Sequence, residues 1–305
     1  MDQNRSSSTR RRQLATVGLA AGLLTLLPSG STSTAQATPG EATLECGSVV
    51  TRDVRLSRDI RGCTGNGLII GADGVDIDLN GHLISGTGPF VSLSAIDIDA
   101  HEKVRVRNGR IADFSRGVLG YDADHAQVEG LRITRTLEGV NFEESSGVRV
   151  IDNRVVDNRE GVVLRRTDRS TVADNTVVEN DTTGITDIDS RSSLHARNHV
   201  SGNTFDGISL ESAVNSVVTG NTVERNGLDG INAVVGSGVR YLGNRVTHND
   251  ENGINDSGSG TVWRGNVAHR NGAVGLRNDG ADQIDAGGNR ARGNGEQNCV
   301  GIRCR

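Results

Sequence analysis

Along most of this chain the apolar positions alternate with polar ones in short runs, and each run is bounded by Gly or Asn. Val148 and Val150 precede Asn153 and Val155 follows it; Val172, Asn175 and Val177 repeat the phrase one unit later. A period of two over so short a span predicts strands separated by turns. The 3.6-residue period that helices would need is nowhere to be found.

The runs are themselves periodic. Gly recurs at 117, 139, 161, 184, 207, 230, 253 and 275, always 22 or 23 residues apart. In register with it run Asn153, Asn175, Asn198, Asn221, Asn244, Asn266 and Asn289, and five residues after each stands a second Asn, from Asn158 to Asn294. Three phased series define a repeat whose unit cannot bury its apolar face alone, so successive units must stack. The reading is an all-β, single-domain, right-handed parallel β-helix of about ten coils, a rod of roughly 50 Å at the inter-strand spacing. Equivalent Asn side chains then fall above one another and are expected to form hydrogen-bonded ladders, to tolerate left-handed turn geometry and to satisfy turn amides. Earlier coils are less regular but visible in Gly67–Leu83, Ala95–Ile111 and Gly117–Ile133.

The ends read differently. Arg10, Arg11 and Arg12, an apolar run from Ala15 to Leu27 and Ala35-Gln36-Ala37 have the layout of a cleaved export signal, of twin-arginine type or an ordinary secretory one, over residues 1–37. The layout expected is this signal, an N-terminal cap at 38–66, the β-helix at 67–295 and a C-terminal disulfide cap at 296–305. Thirteen apolar-rich residues are too few to span a bilayer. Cys46 and Cys63 lie near one end of the mature chain, Cys299 and Cys304 near the other. In an oxidising compartment the expected pairing is Cys46 with Cys63 and Cys299 with Cys304, one staple per end.

Composition narrows the partners. With 41 Gly, four Phe, two Tyr and one Trp, small and β-branched residues must fill the interior. The formal charge of −5 becomes about −8 once the four Arg and one Asp of residues 1–37 are removed, which disfavours nucleic acid. An anionic polymer would need a local Arg patch or a bridging cation.

The segment Val75-Asp76-Ile77-Asp78-Leu79-Asn80-Gly81-His82-Leu83-Ile84-Ser85-Gly86, following Cys63 and Gly67-Leu68-Ile69-Ile70, resembles the opening coil of the parallel β-helix repeat superfamily, which includes pectate-lyase-like enzymes and NosD-like periplasmic proteins. The resemblance spans the mature chain and implies the fold, while unrelated activities share that scaffold. It implies an extracellular, carbohydrate-active protein, a lyase or epimerase for an acidic polysaccharide. Two other readings stay open: a non-catalytic rod that binds polysaccharide or a surface partner, and a NosD-like metal-associated role. The paired Asp motif and Gly-His-Gly of polygalacturonase-like hydrolases do not occur, nor do the Asp-Pro-His of alginate epimerases and the proline-bearing Arg motif of pectate lyases.

On the strand after each repeating Gly, the first and third residues are expected inside and the second and fourth outside. One outward row then runs Asp97, Leu119, Asn141, Val163, Thr186, and its neighbour Asp99, Tyr121, Glu143, Arg165, Ile188. Acids and bases gather in the first coils. Proton abstraction beside a uronate carboxylate needs a cation for that carboxylate and a base, which points to Lys103, Tyr121, His125 and Arg165 as catalytic candidates. Glu143 and Arg166 are candidates for binding substrate, and Asp97 and Asp99 for supplying oxygens to Ca²⁺. Simple pairing of these charges across the sheet is the competing explanation. His195 falls at an inward position with Val172, Val218, Tyr241 and Trp263, whereas His199, His248 and His269 fall on outward turns.

Overall fold

The computed structural model describes residues 40–42 and 44–305; the expected export signal at 1–37 lies outside them. Every regular element among them is a strand, and every paired strand is parallel to its neighbour one coil away. One sheet of twelve strands runs from Ser48–Val50 to Cys299–Val300, so the chain makes about eleven turns, close to the ten expected. A second sheet of 21 strands takes two short strands from most coils, as in Val217–Thr219 and Thr222–Glu224. In two early coils these merge into single strands, Arg105–Ala112 and Gln127–Thr134.

Within the segment 38–66, expected as a cap, residues 44–66 contain strands Ser48–Val50, Val54–Leu56 and Ile60–Cys63, which pair with the next coil as a turn of the stack. Both expected disulfides are present, with Cα separations of 5.3 Å for Cys46–Cys63 and 6.3 Å for Cys299–Cys304.

The Gly that sets the period is required by close approach rather than by dihedral freedom. A Cβ on Gly139 would lie 2.5 Å from Val155 Cγ1 and 2.6 Å from the carbonyl oxygen of Gly161 on the next coil. Inside, apolar side chains stack without exposure: Val140, Val162, Ile185 and Ile208 form one column, beside Phe142 and Leu164. Such continuous columns are the burial that a single coil cannot achieve.

The Asn series form two ladders. Asn198 gives its backbone N–H and its Nδ2 to Asn221 Oδ1 at 2.9 and 3.0 Å, and Asn221 does the same to Asn244. The second series repeats this from Asn158 to Asn294. One expectation needs correction: the Asn residues do not hold the left-handed conformation. The residue before each one does, among them Asp152, Asp174 and Arg197 in one ladder and Arg225, His248 and Arg270 in the other. The division follows from direction, since the left-handed residue turns the chain and so aims the next side chain inward, where an amide can bond to the neighbouring coil.

The core also holds polar groups. His195 sits inside as expected, level with Val172 and Val218, and its Nε2 lies 2.8 Å from Asp187 Oδ2, with both side chains fully buried. Tyr241 and Trp263 occupy the same row two and three coils on, ring centroids 4.5 Å apart.

Candidate functional site

Strand pairing brings part of the predicted patch together. Tyr121, Glu143, Arg165 and Ile188 lie in one row across four coils of the twelve-stranded sheet. Arg165 Nη1 lies 3.3 Å from a carboxylate oxygen of Glu143 and 3.3 Å from one of Glu138. Arg166 pairs with Glu144 at 2.9 Å, and the Tyr121 hydroxyl donates to Glu144 at 2.8 Å. Glu138, which sequence reasoning passed over, is the hub: it also accepts from Arg116 Nε at 2.9 Å and from Asn141 Nδ2 at 2.6 Å. Its position just before the repeating Gly is what a register-based search would have to inspect.

Three placements stand out here. Asn141, Val163 and Thr186, placed on an outward row, are buried, because side chains from the adjoining turn and row fold over them: Glu138 holds Asn141, and Glu160 accepts from Thr186 Oγ1 at 2.6 Å. Lys103 and His125 are neighbours in turn register, both left-handed, but they stand outside this network; Lys103 pairs with Glu102 at 3.3 Å, and the His125 ring lies over Gly147. The Tyr121 hydroxyl donates to Glu144, and that bond raises the phenol pKa. The same bond, with Arg166, holds Glu144 below the usual carboxylate range. Charges on adjacent coils therefore pair across the sheet, which leaves Arg165 and Arg166 largely neutralised.

Asp97 lies one coil before Leu119 and one after Ile69, with Asp99 two residues on. Asp97 Oδ2 accepts from Asn66 Nδ2 at 2.8 Å, while its Oδ1 is buried without a partner, and burial raises its pKa. Two carboxylates and an amide supply fewer oxygens than the six to eight that Ca²⁺ takes, so any such ion would need further ligands from water or a bound polymer.

Beside the network runs a groove of about 430 Å³, crossing five successive coils from Arg116 through Glu138, Arg159, Glu160 and Thr182 to Phe205. At the inter-strand spacing this is about 20 Å of continuous surface. Arg159 is exposed and makes no salt bridge among the described residues. Phe205 is 48 % exposed at the far end. Sequence reasoning missed that this single ring is displayed in a polar groove.

Fold and groove together define a class: a parallel β-solenoid carrying a long polar cleft on one face. The family model for "Periplasmic copper-binding protein (NosD)" matches residues 79–271, more than half of the chain, and the protein belongs to that family. Similar solved structures include the periplasmic alginate epimerase AlgG, with 17 % identity over 75 % of this chain and 65 % of that one and a TM-score of 0.60. The A-module of mannuronan C-5 epimerase AlgE6 from Azotobacter vinelandii matches with 15 % identity over 84 % of each chain and a TM-score of 0.60. The Dettilon tailspike protein gp208 follows with 13 % identity, covering 84 % of this chain and 61 % of that one, at a TM-score of 0.51. This chain thus spans just under two thirds of AlgG, and at such identities the likeness is one of fold. No curated protein matches.

The family description names copper. Among the described residues no three His, Cys, Asp or Glu side chains converge as a metal set. The three outward histidines do not meet at one point: His199 opens a strand, His248 occupies an exposed left-handed turn two coils later, and His269 ends a strand one coil further, so that only the last two are neighbours. These donors do not fit a preassembled copper centre, for which imidazole, thiolate or thioether ligands must meet at one point. The two disulfides fit an exported protein. No helix among the described residues is long and apolar enough to cross a membrane.

Proposed function

We propose that this NosD-family β-helix is an exported, carbohydrate-directed protein that holds a polysaccharide chain along the groove from Arg116 to Phe205. The observation that carries the reading is the groove itself: five coils of alternating cationic, anionic and hydroxyl groups ending on a displayed aromatic ring. Polar side chains can bond sugar hydroxyls while an aromatic face packs against a ring's apolar C–H surface. Arg159, with no carboxylate partner, favours an acidic polymer. That AlgG and AlgE6 are epimerases of alginate and mannuronan is in keeping with a glycan ligand.

Recognition is favoured over lyase or epimerase turnover. Tyr121 is held as a donor to Glu144, Lys103 is tied to Glu102 outside the network, and Arg165 is shared between two carboxylates. Within that network no unpaired base stands beside a free cation, as proton abstraction would require.

The test is calorimetric titration of the secreted protein with oligomers of alginate, pectate and glycosaminoglycans, with and without Ca²⁺. Phe205→Ala and Arg159→Ala should each weaken binding at least tenfold at unchanged melting temperature, while Lys103→Ala should bind as wild type. Absence of saturable binding to every polymer, or full binding by both groove variants, overturns the reading. Product formation at 230 nm, abolished by Lys103→Ala, would restore the catalytic alternative.

A further inference from the structure

A second cleft lies on the other sheet, near the C-terminal end, and its chemistry differs from that of the first. Strands Arg245–Thr247, Val267–His269 and Arg290–Arg292 pair in parallel, so Thr247, His269 and Arg292 stack in one row. The residues that follow them, His248, Arg270 and Gly293, stack in a second row at the turn, joined by backbone bonds from His248 to His269 and from Arg270 to Arg292. Between these rows is a groove of about 350 Å³ lined by Arg245, Thr247, His248, His269, Arg270 and Arg292. No Asp or Glu lines it.

The turn row that holds Arg270 is different in earlier coils of the rod. At equivalent turn positions in earlier coils, each Arg has a carboxylate at hand. Arg135 makes two bonds to Asp113 one coil before, at 2.7 and 2.8 Å, and Arg225 pairs with Glu224 at 2.6 Å. On the companion ladder, Arg197 grips Asp174 with two bonds at 2.7 and 2.6 Å. In the last coils Arg270 lacks such a partner, and Arg245 and Arg292 on the flanking strands likewise make no salt bridge or side-chain hydrogen bond among the described residues. Three guanidiniums around one small cleft repel one another unless an anion joins them, and in a chain of net charge −5 this concentration is not a by-product of a basic composition.

His269 registers the resulting field. Burial lowers its pKa first, and the charges of Arg292, Arg245 and Arg270 lower it further. Its Nδ1 is buried with no hydrogen-bond partner. A bound anion would cancel the arginine contribution.

We propose that this cleft is an oxyanion-binding site, in which Arg245, Arg270 and Arg292 receive a carboxylate, sulfate or phosphate group. Guanidinium forks match the geometry of such groups and bind them through paired N–H donors. The site lies on a different sheet from the Arg116–Phe205 groove, and the proposal does not depend on the glycan reading of that groove. The oxyanion can be a free inorganic ion or a substituent on an acidic glycan.

The experiment titrates the secreted protein at physiological ionic strength with sodium sulfate, sodium phosphate and an oligouronate, following heat and the NMR signals of the His269 ring. Saturable binding is expected, with the His269 titration midpoint moving upward when the anion is bound. Arg245→Ala and Arg292→Ala, both on exposed strand positions, should each weaken binding at least tenfold and reduce that shift, at unchanged melting temperature. Saturation by the inorganic ions identifies a free oxyanion as sufficient; saturation by the oligouronate alone identifies a glycan-borne group. No saturable binding to any of the three, or wild-type affinity in both variants, overturns the site. Phe205→Ala should leave the His269 response intact, which separates this cleft from the first groove.

Discussion

Removing one rung of the Asn ladder tests the physics of the rod most directly. Asn221 is fully buried and makes four side-chain hydrogen bonds: Oδ1 accepts from Asn198 N and Nδ2 at 2.9 and 3.0 Å, and Nδ2 donates to His195 O at 2.9 Å and Asn244 Oδ1 at 3.0 Å. Asn221→Ala deletes all four. Three of them are worth about 1 kcal/mol each; the fourth leaves the buried Asn198 N–H without a partner, at about 1–3 kcal/mol, for a total of about 4–6 kcal/mol. For a chain of this size that corresponds to a fall in Tm on the order of 10 °C or more. Asn221→Asp should be as damaging near neutral pH, since a carboxylate has no donor to offer His195 O or Asn244 Oδ1. Thermal unfolding followed by circular dichroism and calorimetry would measure both, and a separate early transition would show the rod opening at the damaged coil. If Asn221→Ala melts within about 2 °C of wild type, the ladder does not carry the load assigned to it here.

Other outcomes follow from the buried polar groups. His195→Val alone should cost about 3–5 kcal/mol, because it leaves Asp187 buried without its partner. The double change Asp187→Leu with His195→Val should recover most of that loss in chemical denaturation, because the adjacent rungs already carry Leu164 and Leu210 beside Val172 and Val218; a double variant no better than the single would refute this. Asp256 is buried and its pKa is raised, chiefly by burial, so the folded state binds this proton more tightly than the unfolded one. Its contribution to stability is therefore present at low pH and is lost as pH rises from about 4, the unfolded value, through the raised folded value. Asp256→Asn should accordingly gain in Tm relative to wild type at pH 7 and lose that advantage near pH 3.5; an advantage independent of pH would contradict the linkage.

Fold and staples were legible in the residues because each coil meets the same local conditions as the last. A Gly at every close approach, an Asn at every inward turn and alternating aliphatics between them recur until only a parallel stack satisfies them all, and the two cysteine pairs are close in sequence. Even so, the pattern named Asn as the turning residue, although Asp152, Arg197 and their equivalents do the turning and Asn does the bonding. The site was less legible, because it depends on where long side chains go after leaving the backbone. Row membership placed Tyr121, Glu143 and Arg165 together correctly. It could not reveal that Glu138 reaches across to Arg116, Asn141 and Arg165, that this closes over a nominally outward row, or that Phe205 stays exposed. Periodicity specifies backbone register, which is a property of the repeat. Much of the charge pairing and the burial of the outer rows arises from contacts between neighbouring coils, such as Arg165 with Glu138 and Glu143 and Thr186 with Glu160, and only the stacked structure decides those.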